Sequence, residues 1–303
     1  MLALLAMCGA TMTVACTPEE KEEIKPEPTP EEVKPSIPVK FSVSATEEVL
    51  FASGNLQYCA ATQKWRFAEH QYDYLGDVNA NVSATNEGWI DLFGWGTSGW
   101  ESGATEYQPW AVSTTSTDYN PGQSLSTDLA GSCANADWAW FNQIENGGSG
   151  TAKWRTLTKN EWNYLLNERY GAHAKRGVAT IDGTYRGLVI LPDSCHLAHG
   201  ITLDSNMYGW NTNRYTMAQW KSMEDSGAVF LPAAGRRLNT TVSEVGTSGC
   251  YWTATHYDNY SAHCVVFSRG YEENESYVAP TNTENRSYAF AVRPVCRYIP
   301  ELE

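Results

Sequence analysis

Three kinds of side chain in this 303-residue sequence stand at spacings that suit chemistry. Cys195-His196-x-x-His199 offers a thiol and two imidazoles, donors that suit zinc or copper. No fourth ligand lies nearby in sequence, and a loop cysteine with two solvated histidines explains the same letters, so no metal and no other cofactor is expected. Asp91, Glu101, Glu106 and Asp118 could serve a glycosidase, which needs two carboxyl groups facing each other across a cleft. The sequence indicates no such pair, and exposed acids account for them equally well. The chain has no Gly-x-Ser-x-Gly elbow, no phosphate-binding loop, no His-Glu-x-x-His and no Cys-x-x-Cys. Its chemistry therefore points away from catalysis.

The third kind is aromatic. His256-Tyr-Asp-Asn-Tyr-Ser-Ala-His263 and Arg269-Gly-Tyr-Glu-Glu-Asn-Glu-Ser-Tyr277 mix Tyr, Asn, Asp, His and Ser, the composition of adaptable binding loops. The candidate ligand contacts are His256, Tyr257, Asp258, Tyr260, Tyr271 and Tyr277, with Tyr251, Trp252 and Trp210 beside them. Trp95, Trp100, Trp110 and Tyr208 also sit among Gly, Ser and Thr. Exposed tyrosine and tryptophan faces suit sugar C–H faces and protein interfaces. The plainer alternative is that such rings roof a loop-rich core.

Loops of this kind need a scaffold to position them. Thr158 and Glu161 form a Thr-x-x-Glu capping box, and Trp162, Leu165, Leu166 and Arg169 recur at three- and four-residue spacing behind it. A second helix is expected from Thr216 to about Asp225, with Met217, Trp220 and Met223 on one face and Gly227 ending it. Asp182-Gly183 marks a hairpin turn within residues 179–191. Short strands are expected at 41–44, 49–58 (broken at Gly54-Asn55), 65–69 and 228–235. Three more close the chain at 251–255, 264–267 and 288–295. Residues 76–135 are mostly turn-forming types, and a stretch this long is either functional or packed by its own side chains.

The first 16 residues are apolar, uncharged and too short to span a bilayer. Thr13-Val14-Ala15-Cys16 resembles a bacterial lipobox, so Cys16 is the expected lipid attachment site. Residues 17–38 hold seven Glu and three Lys among prolines, an extended tether that cannot bury a core. The acidic cluster after Cys16 also resembles a surface-export signal of some outer-membrane lipoproteins. The remainder of the chain carries −10 of the total charge of −14, which argues against nucleic acid and against docking on anionic lipid. Past Cys8 and Cys16, six cysteines remain, enough for three disulfides in an exported protein or for buried thiols.

Trp154-Arg-Thr-Leu-Thr-Lys-Asn-Glu-Trp-Asn-Tyr164 is similar to the helix entry of formylglycine-generating-enzyme-like domains. Gly249-Cys-Tyr-Trp-Thr-Ala-Thr255, Ala262-His-Cys-Val-Val-Phe267 and Arg286-Ser-Tyr-Ala-Phe-Ala-Val-Arg-Pro-Val295 resemble the closing strands of the Fibrobacter succinogenes major paralogous domain family. Residues 51–58 and 89–99 resemble the amino-terminal part of surface lipoproteins that carry this domain. The resemblance covers most of residues 40–297. It implies an α+β, C-type-lectin-like domain with two main helices, short antiparallel sheets and long loops. Departures bear on activity. Tyr251-Trp252-Thr253-Ala254 lacks the thiol of the oxidases, and the calcium-binding motifs of the calcium-dependent lectins are missing.

The expected protein is a lipoprotein of the outer membrane, probing the exterior with residues 39–303 and binding a glycan or surface protein without catalysis. A carbohydrate-active or divergent formylglycine-generating-like enzyme is the alternative, and a structural part of an adhesive assembly is a third.

Overall fold

Thr158 starts the helix that its spacing predicts. Its side chain accepts from the Glu161 amide while Glu161 reaches back to the Thr158 amide, closing the capping box. The α-helix Lys159–Asn163 then passes into a π-helical turn, Tyr164–Glu168. Trp162, Leu165 and Leu166 enter the core, as the spacing requires. Arg169, on the same face, is buried too. Its guanidinium pairs with Asp193 at 2.8 Å and donates to the carbonyls of Leu165 and Leu191. The second helix, Met217–Asp225, carries a capping box of its own, Thr216 with Gln219.

The computed structural model describes residues 36–121, 127–148, 154–205, 209–269 and 276–298. Cys16, the tether up to residue 35, Tyr208 and Tyr271 lie outside the described residues. Val33–Glu303 form one compact unit. Ser36 and Ile37, expected within the tether, are instead joined to the fold. Ser36 already bridges to Ala52, and Ile37 is buried with its amide bonded to the Phe51 carbonyl.

The described chain is α+β, with few helices and five small sheets. One sheet brings together Phe41–Ser42, Glu48–Phe51, Val295–Arg297 and Trp154–Arg155, with Val295–Arg297 in the middle, antiparallel to both neighbours. A second contains the Asp182–Gly183 hairpin, Arg176–Ile181 with Tyr185–Ile190, flanked by Val229–Pro232 and by Asn213–Tyr215, which runs parallel. Both turn residues are left-handed, with φ of 50° and 69°, a conformation that Asp tolerates and Gly favours. A third sheet joins Thr241–Ser243, Arg236–Leu238, Tyr288–Phe290 and Phe93–Gly94, and a small one joins Leu56–Cys59 to Lys64–Phe67 and Trp89–Ile90.

The turn-rich stretch after residue 76 is held by its own aromatics. Tyr119 lies against Gly94 closely enough that a Cβ there would collide with its ring. Trp95, a loop ring that could face a ligand or roof the core, is fully buried, and its indole N–H donates to the Thr253 carbonyl at 3.0 Å. Trp100 and Trp110 are half-buried against the same core. Asp137 caps a single helical turn, Trp138–Phe141. Three guanidinium groups, those of Arg237, Arg286 and Arg293, lie within the protein and donate chiefly to backbone carbonyls. Burial pushes the pKa of each down to about 10.

Candidate functional site

The fifth sheet carries most of the candidate contacts. Ser248–His256, Ser261–Arg269 and Ser276–Asn285 pair antiparallel in that order, and residues 257–260 form the first turn. The first strand is covered on both faces, its residues 248–254 all being buried. Tyr251 is fully buried, donates its hydroxyl to the Pro232 carbonyl at 2.9 Å and accepts from the Asn55 amide group. Trp252 is also buried, with its indole N–H on the Phe93 carbonyl at 2.7 Å. Trp210 packs edge-on to Phe267 inside the main core. These three are therefore corrected from ligand contacts to core. Small sheets leave gaps that only large rings fill, and each ring turns inward to do so.

The remaining candidates separate into two places. Ser261 pairs with Asn285 and Ser268 with Tyr277, so Tyr277 stands seven residues along the strand from the 257–260 turn, about 23 Å at the usual rise. Tyr277 is exposed, but it belongs to the other end of the sheet. What the structure brings together is His256, Tyr257, Asp258 and Tyr260.

That turn is braced from several sides. The amides of Tyr257 and Asp258 both donate to the Ser261 carbonyl. Asp258 Oδ1 accepts from the amides of Tyr260 at 2.8 Å and Ser261 at 2.7 Å. Those amides, the Tyr260 amide first, hold the Asp258 carboxyl below its ordinary pKa. From beneath, the buried Arg286 donates to the carbonyls of Asp258 at 2.6 Å and Ser261 at 3.3 Å, and its amide bonds the Tyr260 carbonyl. The Arg286 guanidinium lies over the Trp95 ring, 4.5 Å from its centroid. At the side, His256 Nδ1 lies 2.6 Å from Asp128 Oδ1, which also accepts the His256 amide. The result is a fixed turn that presents two rings, Tyr257 and Tyr260, each 57% exposed.

Below Tyr257 lies His263, in edge-to-face contact at 5.3 Å. His263 is 9% exposed, and its Nδ1 has no hydrogen-bond partner among the described residues. Beside them is Lys159, whose amide donates to Thr255 Oγ1 at 3.1 Å. Burial first and the Lys159 charge second push the His263 pKa below its ordinary value.

A cavity of about 310 Å³ adjoins this region, lined by Leu129, Ala130, Ala134, Trp140, Arg155 and Ala254 among others. Its polar walls are occupied with one another. Asp137 accepts from the Thr156 amide and hydroxyl, and Arg155 pairs with Glu161.

Elsewhere the candidate chemistry disperses. Asp91 is buried in a knot with the Leu75 amide and the Asn79 side chain, and burial pushes its pKa up to about 6. Asp118 accepts from the Ser113 hydroxyl. Among the described residues no three of His, Cys, Asp or Glu converge, the Cys195–His199 stretch included. The six described cysteines are free thiols, with Cys59, Cys250, Cys264 and Cys296 buried.

Arg286, Asp128 and Lys159 belong to the site by position, yet sequence alone does not assign them there. Arg286 shows only as part of the closing motif, and Asp128 pairs with a residue 128 positions away. Comparison of the chain with family models, with curated proteins and with solved structures gave no match.

Proposed function

We propose that this protein is a lipoprotein anchored through Cys16 and held off the outer membrane by its Pro/Glu tether. Its α+β domain is C-type-lectin-like and recognises a glycan or a surface protein without catalysis. The observation that carries this reading is the 257–260 turn, where two half-exposed tyrosines stand on a backbone fixed by Asp258 and the buried Arg286. Rings held in place before the ligand arrives lose little conformational entropy on binding, and their faces suit sugar C–H surfaces as well as protein side chains. The C-type-lectin-like assignment is supported by the two capped helices, the small antiparallel sheets and the closing strands with their quoted motifs.

The test is binding of the purified domain to a glycan array and to intact cells, with Tyr260→Ala and Tyr257→Ala beside the wild type. Binding should fall at least about tenfold, equivalent to 1.4 kcal/mol. Unchanged binding in both variants would remove this face from the reading. For the anchor, incorporation of a fatty-acid analogue should disappear in Cys16→Ala, and retained labelling would sink it.

A further inference from the structure

We propose that Lys159, beside Tyr257 and the buried His263, forms a subsite for the carboxylate of an acidic sugar, so that the ligand of the turn is a uronic- or sialic-acid glycan. This rests on the reading of the turn as the recognition face and names the ligand class that the face would accept.

The chain as a whole is acidic, at −14, yet this corner sets an ammonium, that of Lys159, beside the imidazole of His263. Lys159 is half-buried, and among the described residues no carboxylate comes within ion-pair distance of its ammonium, whereas Lys40, Lys64 and Lys221 each have one. Its backbone bond to Thr255 fixes it next to the strand end that carries His256. His263 is nine-tenths buried, its Nδ1 is unpartnered, and Tyr257 covers it. The backbone of Thr281 and Asn282 lies against the His263 ring, and the charges of Lys159 and His256 bear on it.

The acids nearby are already engaged. Asp128 bonds His256, and Asp258 accepts the turn amides. Glu284 stands opposite Ala262 rather than His263, and so on the other face of the sheet. A half-buried ammonium with no carboxylate in ion-pair distance among the described residues, set beside the turn that displays the tyrosines, is an arrangement that a ligand carboxylate relieves. The tyrosine rings at the same turn would take the apolar face of the sugar bearing that carboxylate.

The experiment probes immobilised uronic- and sialic-acid oligosaccharides alongside the methyl esters of the same sugars. Wild type, Lys159→Met, Lys159→Arg and Tyr260→Ala are compared, each checked for native folding by circular dichroism. The wild type should prefer acids over esters by about tenfold, and the preference should weaken with added salt. Lys159→Met should abolish the preference and Lys159→Arg should keep it. The Thr255 bond uses the Lys159 backbone, so both variants retain it. Equal binding of acids and esters, with Lys159→Met neutral, overturns the carboxylate subsite and leaves the recognition face standing. Absence of glycan binding, with cell binding still lost in Tyr260→Ala, also overturns it and makes the ligand a protein. Absence of binding to glycans and cells alike overturns both proposals.

Discussion

Two hairpins in this molecule solve the same geometrical problem by different means. The Arg176–Ile181 and Tyr185–Ile190 strands reverse at Asp182–Gly183, where the backbone conformation of two residues does the work. The Ser248–His256 and Ser261–Arg269 strands reverse through residues 257–260 with bracing from Asp128, Trp95 and Arg286, all distant in sequence. The first turn exposes polar atoms and carries no ring. The second carries two exposed tyrosines. A turn that only reverses the chain can be specified locally, whereas one that displays apolar rings to water needs an external frame to keep them from collapsing inward.

Removing that frame should have the largest effect. Arg286→Met would remove the side-chain donor of the Tyr119 and Asp258 carbonyls and one of three donors to the Ser261 carbonyl. Relief from holding a buried charge offsets only part of that loss. We expect a destabilisation of about 3 kcal/mol in urea unfolding, and loss of ligand binding with it. If stability falls by under about 1 kcal/mol, the turn is self-supporting and the contrast between the hairpins fails.

Gly183→Val attacks the other hairpin. A β-branched residue in the left-handed region should cost about 1–2 kcal/mol. Binding at the 257–260 turn should be unchanged, as measured on the same array. Equal loss of binding would show that the two hairpins are coupled.

Asp258→Ala removes the acceptor for two turn amides and should cost about 1 kcal/mol at neutral pH. Here the sign of the pH dependence is fixed. The folded carboxyl has a lower pKa than its ordinary 3.8, so its contribution is present above that value and is lost as the pH falls through the folded pKa. Denaturation curves for wild type and variant should therefore converge in acid. Curves whose separation does not shrink anywhere in the acid range would refute the amide–carboxylate account.

Tyr260→Ala should be the mildest change to the fold, within about 0.5 kcal/mol, because the side chain is exposed and Arg286 holds the Tyr260 backbone. A larger drop in thermal stability would mean that the ring is packed, not displayed.

Much of the scaffold is legible in the sequence because its causes are local. Thr158 with Glu161, and Asp182 with Gly183, act on neighbours within a few residues. The burial of Trp162, Leu165 and Leu166 follows from one helix face. The site is less legible because its causes are distant. Trp95 stands among glycines like an exposed loop ring, and only the approach of Arg286 and Thr253 seals it. Tyr257 and Tyr277 look contiguous along the chain, but antiparallel register carries them to opposite ends of a sheet. Tyr251 and Trp252 share a strand with His256, and composition does not reveal where that strand stops being core.

The strand Val295–Arg297 has a consequence for how the molecule is made. It lies between Glu48–Phe51 and Trp154–Arg155, so two strands separated by about a hundred residues stay apart until it arrives. A chain emerging from its amino-terminal end cannot complete that sheet until the residues near 297 are available. Such long-range pairing is slow to form. On the proposed reading as an exported lipoprotein this delay would be useful, because a polypeptide that crosses a membrane unfolded would be kept from closing on itself too early.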